Sequence, residues 1–125
     1  MAGKLTLISI EKEGFVRIAS EGDLTSADIH QGHTLGKNLL EPLLGSNWAT
    51  QRVLLDLGKT QYLDSAAIGW LIGSNKQFKS KGGALVVHSI DPRIRQMLGL
   101  LKVGQVVSLA ADEAEARTLL SKASA

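Results

Sequence analysis

The sequence predicts an α/β domain with a mixed central sheet of about five strands and helices packed on it. Three observations carry that expectation. Two short β-rich runs stand back to back near the N-terminus around a glycine-containing turn. Further on, short apolar runs alternate with stretches of helical periodicity. The chain of 125 residues also has the length of one domain with a single buried core. Residues 1–125 are accordingly expected to form one domain, with a core over about residues 4–120 and a frayed tail over 121–125.

The elements follow in order. "KLTLISI" and "FVRIAS" flank "EKEG", and their partial alternation predicts a hairpin. After "EGDLT", Leu35, Leu39 and Leu40 fall at helical spacing, which predicts a helix from Ser26 to Glu41, weakened by Gly32 and Gly36 and ended by Pro42. "LLGSNWATQ" reads as a loop. "RVLLDL", from Arg52 to Leu57, is a nearly continuous apolar run of the kind carried by a strand covered on both faces. Ile68, Leu71, Ile72 and Phe78 then mark the buried side of a helix, with Lys76, Gln77, Lys79 and Lys81 turned largely elsewhere and "KGG" as its stop. "ALVVHS" is the next strand. "DPRIRQMLGLL" opens with Asp91 as N-cap and Pro92 at the first helical position, where its missing donor costs nothing. Ile94, Met97, Leu98 and Leu101 would be its buried stripe. "QVVSL" supplies a last strand and "DEAEARTLL" a last helix, in which Asp112 and Glu115 have the spacing of a capping-box variant.

Composition narrows the function. Hydrophobic content of 44% with 21% charged residues is that of a water-soluble globular protein, and no apolar run nears the roughly 20 residues of a membrane span, so no direct membrane insertion is expected. The first residues lack the pattern of a secretory signal. Without cysteine there is no disulfide framework or thiolate metal site, and the cytoplasm is the expected compartment. Fourteen Lys and Arg stand against 12 Asp and Glu, scattered singly or in short mixed groups, with aromatics at 4%. Neither the basic stripe nor the stacking platforms of a nucleic-acid binder are visible in the sequence, and no nucleic-acid partner is expected.

The chemistry concentrates in "YLDSAAIGWL", Tyr62 to Leu71. If a helix starts near Asp64, Ser65 sits at an exposed turn where free backbone N–H groups concentrate positive potential. Three roles are open: Asp64 or Ser65 caps the helix, Ser65 is a nucleophile, or Ser65 is a group to be modified. Ala66, Ala67, Gly69 and Gly73 leave little bulk around the hydroxyl, so another protein's active site can reach it. Trp70 lies off the apolar stripe, on the face shared by Ala66, Ser74 and Gln77, either as an interface anchor or covered by a neighbouring element. A hydrolase using Ser65 and His88 lacks the G-x-S-x-G elbow and an orienting acid, and a histidine after an apolar strand reads as a surface or capping residue. Asp28, His30 and His33 lack the remaining ligands of a metal site. "KSKGGAL" has no phosphate-cradling pattern. Neither an enzyme nor a cofactor is expected.

"GDLT" and "VLLDLGKTQYLDSAAIGWLIGSNKQFKSKGGALVVHSIDPRIRQML" resemble the STAS domain of bacterial anti-sigma-factor antagonists, most strongly from Val53 to Leu101. The resemblance implies that the serine after the aspartate, Ser65, is phosphorylated by a serine kinase of the histidine-kinase-like ATPase type that is itself the anti-sigma factor. The unmodified protein would bind that kinase and release a sigma factor, and a Ser/Thr phosphatase would reset the modified one. The implied partner-binding residues are Asp23, Thr25, Asp64, Ser65, Ala66, Ala67, Ile68, Gly69 and Trp70. STAS-like domains also serve as stress-complex scaffolds and as small subunits of transport assemblies, which is the alternative. The sequence departs from the family pattern at Ala67 and Lys102, where glycine is common, and at Thr25, where an acid is frequent.

Overall fold

The two N-terminal apolar runs pair as the sequence predicts. In the computed structural model, which describes residues 5–12, 14–29 and 38–123, β1 (Leu5–Ile10) and β2 (Phe15–Ser20) are antiparallel, with a register break between Leu7 and Ser9. Gly14 closes their turn at φ 88°, a left-handed conformation that suits glycine, and its N–H donates to the Glu11 carbonyl at 2.9 Å. β3 (Arg52–Asp56), β4 (Ala84–His88) and β5 (Ser108–Ala110) extend the sheet in the order β1-β2-β3-β4-β5, each parallel to the strand before it. Parallel neighbours require crossover connections, and here these carry the helices.

Alternation along the strands divides the apolar residues between two layers. Val16, Ile18, Val53, Leu55, Leu85 and Val87 belong to the larger core, shared with Ala67, Leu71 and Phe78 of α2 (Ser65–Lys81) and Ile94 and Leu98 of α3 (Pro92–Leu100). Phe15, Leu54, Val86 and Ala110 form the smaller core with Ala116 and Leu120 of α4 (Glu113–Ala123). β3 and β4 are therefore buried on both faces, as their unbroken apolar runs predict. Each fully buried Leu or Phe contributes about 1.5–3 kcal/mol, and Leu54, Leu55, Leu71 and Phe78 are all of that kind. The loop predicted at "LLGSNWATQ" is anchored to α2, because Trp48, in a 3-10 turn (Trp48–Thr50), meets Phe78 edge-on with ring centroids 5.2 Å apart.

The predicted caps are largely in place. Asp91 accepts from the Arg93 N–H at 2.8 Å, with Pro92 in the first turn. Asp112 accepts from the Glu115 N–H at 2.9 Å, while the Glu115 carboxylate reaches back to the N–H of Ala111 at 2.8 Å, one residue before the cap. Gly82 ends α2 at φ 87°, and Lys79 and Lys81 sit in its last turn against the negative pole of the helix. On the far side of the sheet an ionic network ties the hairpin to α4. Arg117 forks onto Glu11 through two contacts of 2.6 Å and also meets Glu113 at 2.8 Å, and Glu113 in turn holds Arg17 at 3.1 Å.

Several expectations are corrected. Pro42 does not end a helix. It lies in the first turn of the short helix α1 (Glu41–Leu44), preceded by a turn in which the Asn38 side chain accepts from the Leu40 N–H at 2.9 Å, since a missing N–H is tolerated at a helix start. Residues 26–29 are helical, and Gly32, Leu35 and Gly36 lie outside the described residues. Leu101 leaves the buried stripe of α3, because that helix stops at Leu100 and the chain turns through Lys102 at φ 58°. "QVVSL" is strand only from Ser108, after a 3-10 turn (Val103–Gln105). His88 is not a surface residue but is buried on the α4 side, with Nδ1 2.8 Å from the Ser89 hydroxyl. Residues 121–123 continue α4 where a frayed tail was expected to begin.

Candidate functional site: the start of helix α2

The site is built where two loops zip together beyond the ends of β2 and β3. Leu24 and Leu63, both fully buried, form an isolated parallel bridge, and the Leu24 N–H donates to the Tyr62 carbonyl at 3.2 Å. Polar side chains close the rest. The buried Thr60 hydroxyl donates to the Gly22 carbonyl at 2.8 Å, and Asp23 Oδ1 accepts from the Gln61 N–H at 3.0 Å. Thr25 begins the next turn, with its N–H 2.9 Å and its hydroxyl 3.3 Å from Asp28 Oδ2.

Asp64 joins this platform to the helix. Its extended backbone (φ −93°, ψ 179°) precedes α2, Oδ1 accepts from the Ala67 N–H at 3.0 Å, and Oδ2 accepts from the Ser26 N–H at 2.6 Å. One carboxylate thus caps the helix and clamps the Asp23–Ser26 loop beside it. The hydrogen bonds from Ala67 and Ser26 hold its pKa below the usual carboxylate range. A depressed folded-state value means that this stabilisation is present above the unfolded pKa of about 4 and is lost as the pH falls through the folded value. Asp64→Asn is therefore expected to be less stable than the parent near neutrality, with the gap narrowing as the pH falls below about 4. Urea melts across that range check this, and two curves that stay parallel down to about pH 2 would contradict it.

With Asp64 as the cap, Ser65 is left over. It is the first residue of α2, it is exposed, and its hydroxyl bonds to no described residue. Ala66 is half-buried beside it, and Gly69, one turn on, is exposed with open space where a Cβ would stand. Asp23, Thr25, Asp64, Ser65, Ala66 and Gly69 therefore share one accessible neighbourhood. Ala67 and Ile68 do not belong to its surface: they are 0% and 8% exposed and face the core, as their positions on the helix require. Trp70 packs partly against the same core with its indole N–H buried and unpaired among the described residues, so it is no exposed anchor.

The arrangement does not assemble the hydrolase alternative. His88 and Ser65 lie on opposite sides of the sheet, His88 engages Ser89 instead, and burial pushes its imidazole below the usual histidine range against the pull of Asp56 and Glu113. His30 and His33 lie outside the described residues. Among the described residues no group of three or more His, Asp or Glu is placed to hold a metal ion, and no helix is long and apolar enough to cross a membrane. What sequence reasoning missed is the clamp from Asp64 to Ser26, because contact between residues 38 positions apart leaves no local signal.

A five-stranded mixed sheet with a capped helix leaving β3 at an exposed serine defines a class, and the chain matches the STAS domain family model over residues 7–116. The protein belongs to the STAS domain family. Among individual proteins it is similar to the anti-sigma F factor antagonist of Paenibacillus polymyxa, at 26% identity over 70 residues, which is 56% of this chain and 60% of that protein. Three solved structures share the fold. An anti-sigma-factor antagonist (STAS) domain protein from Planctomyces limnophilus matches with a TM-score of 0.70 at 18% identity, over 94% of this chain and 97% of that one. The Bacillus cell fate determinant SpoIIAA in its phosphorylated form matches at 0.61 and 15%, over 92% and 98%. The SulP transporter STAS domain from Vibrio cholerae matches at 0.57 and 21%, over 91% and 86%. At these identities the structures establish the fold alone.

Proposed function

We propose that the protein is an anti-sigma-factor antagonist of the cytoplasm, switched by phosphorylation of Ser65. Unmodified, it binds an anti-sigma factor that is a serine kinase of the histidine-kinase-like ATPase type, and so releases a sigma factor. The kinase phosphorylates Ser65, and a Ser/Thr phosphatase removes the phosphate. The observation that carries this reading is the division of labour at the start of α2: Asp64 takes the structural task of capping, so the exposed Ser65 hydroxyl next to it has no structural task among the described residues.

The mechanism follows from charge. In the phosphotransfer the Ser65 oxygen attacks the γ-phosphorus of ATP, the bond to the bridging oxygen breaks, ADP leaves, and the hydroxyl proton passes to a base on the kinase. Phosphorylation adds about −1.5 to −2 charge beside the ionised Asp64. Within the domain this charge stands at the positive pole of α2 and remains in solvent, so the fold tolerates it. A partner surface fitted to a neutral hydroxyl and to the bare helix around Gly69 instead meets repulsion and desolvation cost. A difference of about 1.4 kcal/mol already weakens binding tenfold.

Incubation with the cognate kinase and ATP, followed by mass spectrometric mapping, tests the assignment. Phosphate is expected on Ser65 of the parent and on no residue of Ser65→Ala. Stoichiometric phosphate elsewhere in the parent would overturn it.

A further inference from the structure

We infer that the solvent side of α2, together with the turn after α3, is a docking surface for a protein segment that carries acidic and apolar side chains together. This goes beyond the Ser65 switch and, Gly69 apart, stands on other residues.

The first observation is a segregation of charge. Residues 65–81 and 92–107 contain six cations, Lys76, Lys79, Lys81, Arg93, Arg95 and Lys102, and no acid, whereas the rest of the chain has eight cations against twelve acids. All six are exposed. Only Arg93 has an ion pair among the described residues, with Asp91 at 3.3 Å. The two stretches lie on the same side of the sheet, since both feed the larger core, and the Asn75 side chain ties them directly by donating to the Val106 carbonyl. The 100° step of an α-helix puts the exposed Lys76 and Lys79 next to Asn75, and hence toward Val106, with Ile72 between them packed partly against the larger core.

The second observation is apolar: Leu100, the last residue of α3, and Leu101 and Val106, in the chain that leads from it to β5, are 79%, 58% and 43% exposed. The third is bare backbone. Gly69 and Gly73, one turn apart on the solvent side of α2, have nothing within 4 Å of where a Cβ would be, so another chain can approach the helix axis closely.

Together these choose the occupant. Uncompensated cations ask for acids, exposed leucines beside them ask for apolar side chains, and the glycine pair gives room for a backbone. Phosphates of a nucleic acid answer only the first of these, and the strongly exposed aromatic among the described residues, Tyr62, precedes α2 and lies outside residues 72–79 and 100–106. An anionic lipid surface answers the first two but has no use for the gap along α2, and three partly exposed aliphatic residues offer little area for insertion. A helical or extended segment of a partner protein, rich in Asp or Glu with Leu-like residues between, answers all three.

The test uses the full chain, 15N-labelled, and a peptide of about 15 residues built from glutamate and leucine at helical spacing. At about 0.1 M salt, where the Debye length is about 10 Å, amide shifts are expected on residues 72–79 and 100–106, and they are expected to fade at about 1 M, where it is about 3 Å. The combined Lys76→Glu, Lys79→Glu and Lys102→Glu variant is expected to weaken the peptide at least tenfold, and Leu101→Ser severalfold. Both change exposed residues, and unchanged shifts elsewhere verify their fold. A lysine and leucine peptide of the same design, and vesicles of phosphatidylserine and phosphatidylcholine, are expected to give no shifts there. Shifts absent, centred elsewhere, insensitive to salt, or reproduced by the lysine peptide would overturn the proposal, as would binding to the vesicles and not to the acidic peptide. Failure of the Ser65 switch is separate, because it shows as a kinase that binds Ser65→Ala and Ser65→Asp alike.

Discussion

Gly83→Ala is expected to lower the unfolding midpoint by roughly 10 °C, the largest effect expected from a methyl at any of the described glycines, through a cost of about 3 kcal/mol. A Cβ at Gly83 would be driven against the carbonyl oxygens of Ala49 and Gln51, which are backbone and cannot step aside. The tight approach has a reason. Gly83 enters β4 beside the chain entering β3, where the Ala84 N–H donates to the Gln51 carbonyl at 3.0 Å. That contact begins the parallel register that places α2, and so Ser65, at the far ends of the strands. Gly82→Ala is the control. Gly82 has φ 87° but empty space around it, so alanine there costs only the conformational strain of about 1–2 kcal/mol. Thermal melts of the two variants separate steric from conformational cost. A Gly83→Ala protein that melts no lower than Gly82→Ala would contradict the close approach.

The other large effect falls on binding. Ser65→Asp is expected to weaken the complex with the cognate kinase tenfold or more, whereas Ser65→Ala binds within about twofold of the parent. Both variants should melt within about 2 °C of it, since an exposed side chain without a hydrogen bond to a described residue carries little stability. Calorimetric titration gives the affinities. Equal binding by the two variants would remove the charge from the mechanism. Loss of binding by both would assign the hydroxyl a recognition role instead.

Which features were legible in the sequence follows from their range. β3 and β4 read directly because a strand buried on both faces must be apolar at every position, and Leu54 and Leu55, like Val86 and Val87, face opposite cores. α2 read directly because Ile68, Leu71 and Phe78 repeat at the helical period, and the caps at Asp91, Asp112 and Gly82 are local chemistry. Where sequence and structure part, the deciding contact is distant or the backbone is unusual. Lys102 holds a left-handed φ of 58° that glycine would adopt without strain, and that turn throws Leu101 out into solvent. His88 is buried only because α4 closes over that side of β4, which no neighbouring residue announces. Pro42 fits equally after a helix or inside the first turn of one. At the candidate site the exposed Asp-Ser pair was readable, but the choice of Asp64 as cap needed its second oxygen to find Ser26. The cations gathered along α2 and after α3 looked scattered in the sequence, because two turns of chain and a strand separate residues that folding brings to one side of the sheet.

One measurement bears most directly on the switch: calorimetric titration of the cognate kinase with phosphorylated and dephosphorylated protein prepared from the same parent chain, with a thermal melt of each form. Dephosphorylated protein is predicted to bind, and protein carrying phosphate on Ser65 to bind at least tenfold more weakly while melting within about 2 °C of it. Equal affinities, or a phosphorylated form that loses binding only because it has unfolded, would contradict the account.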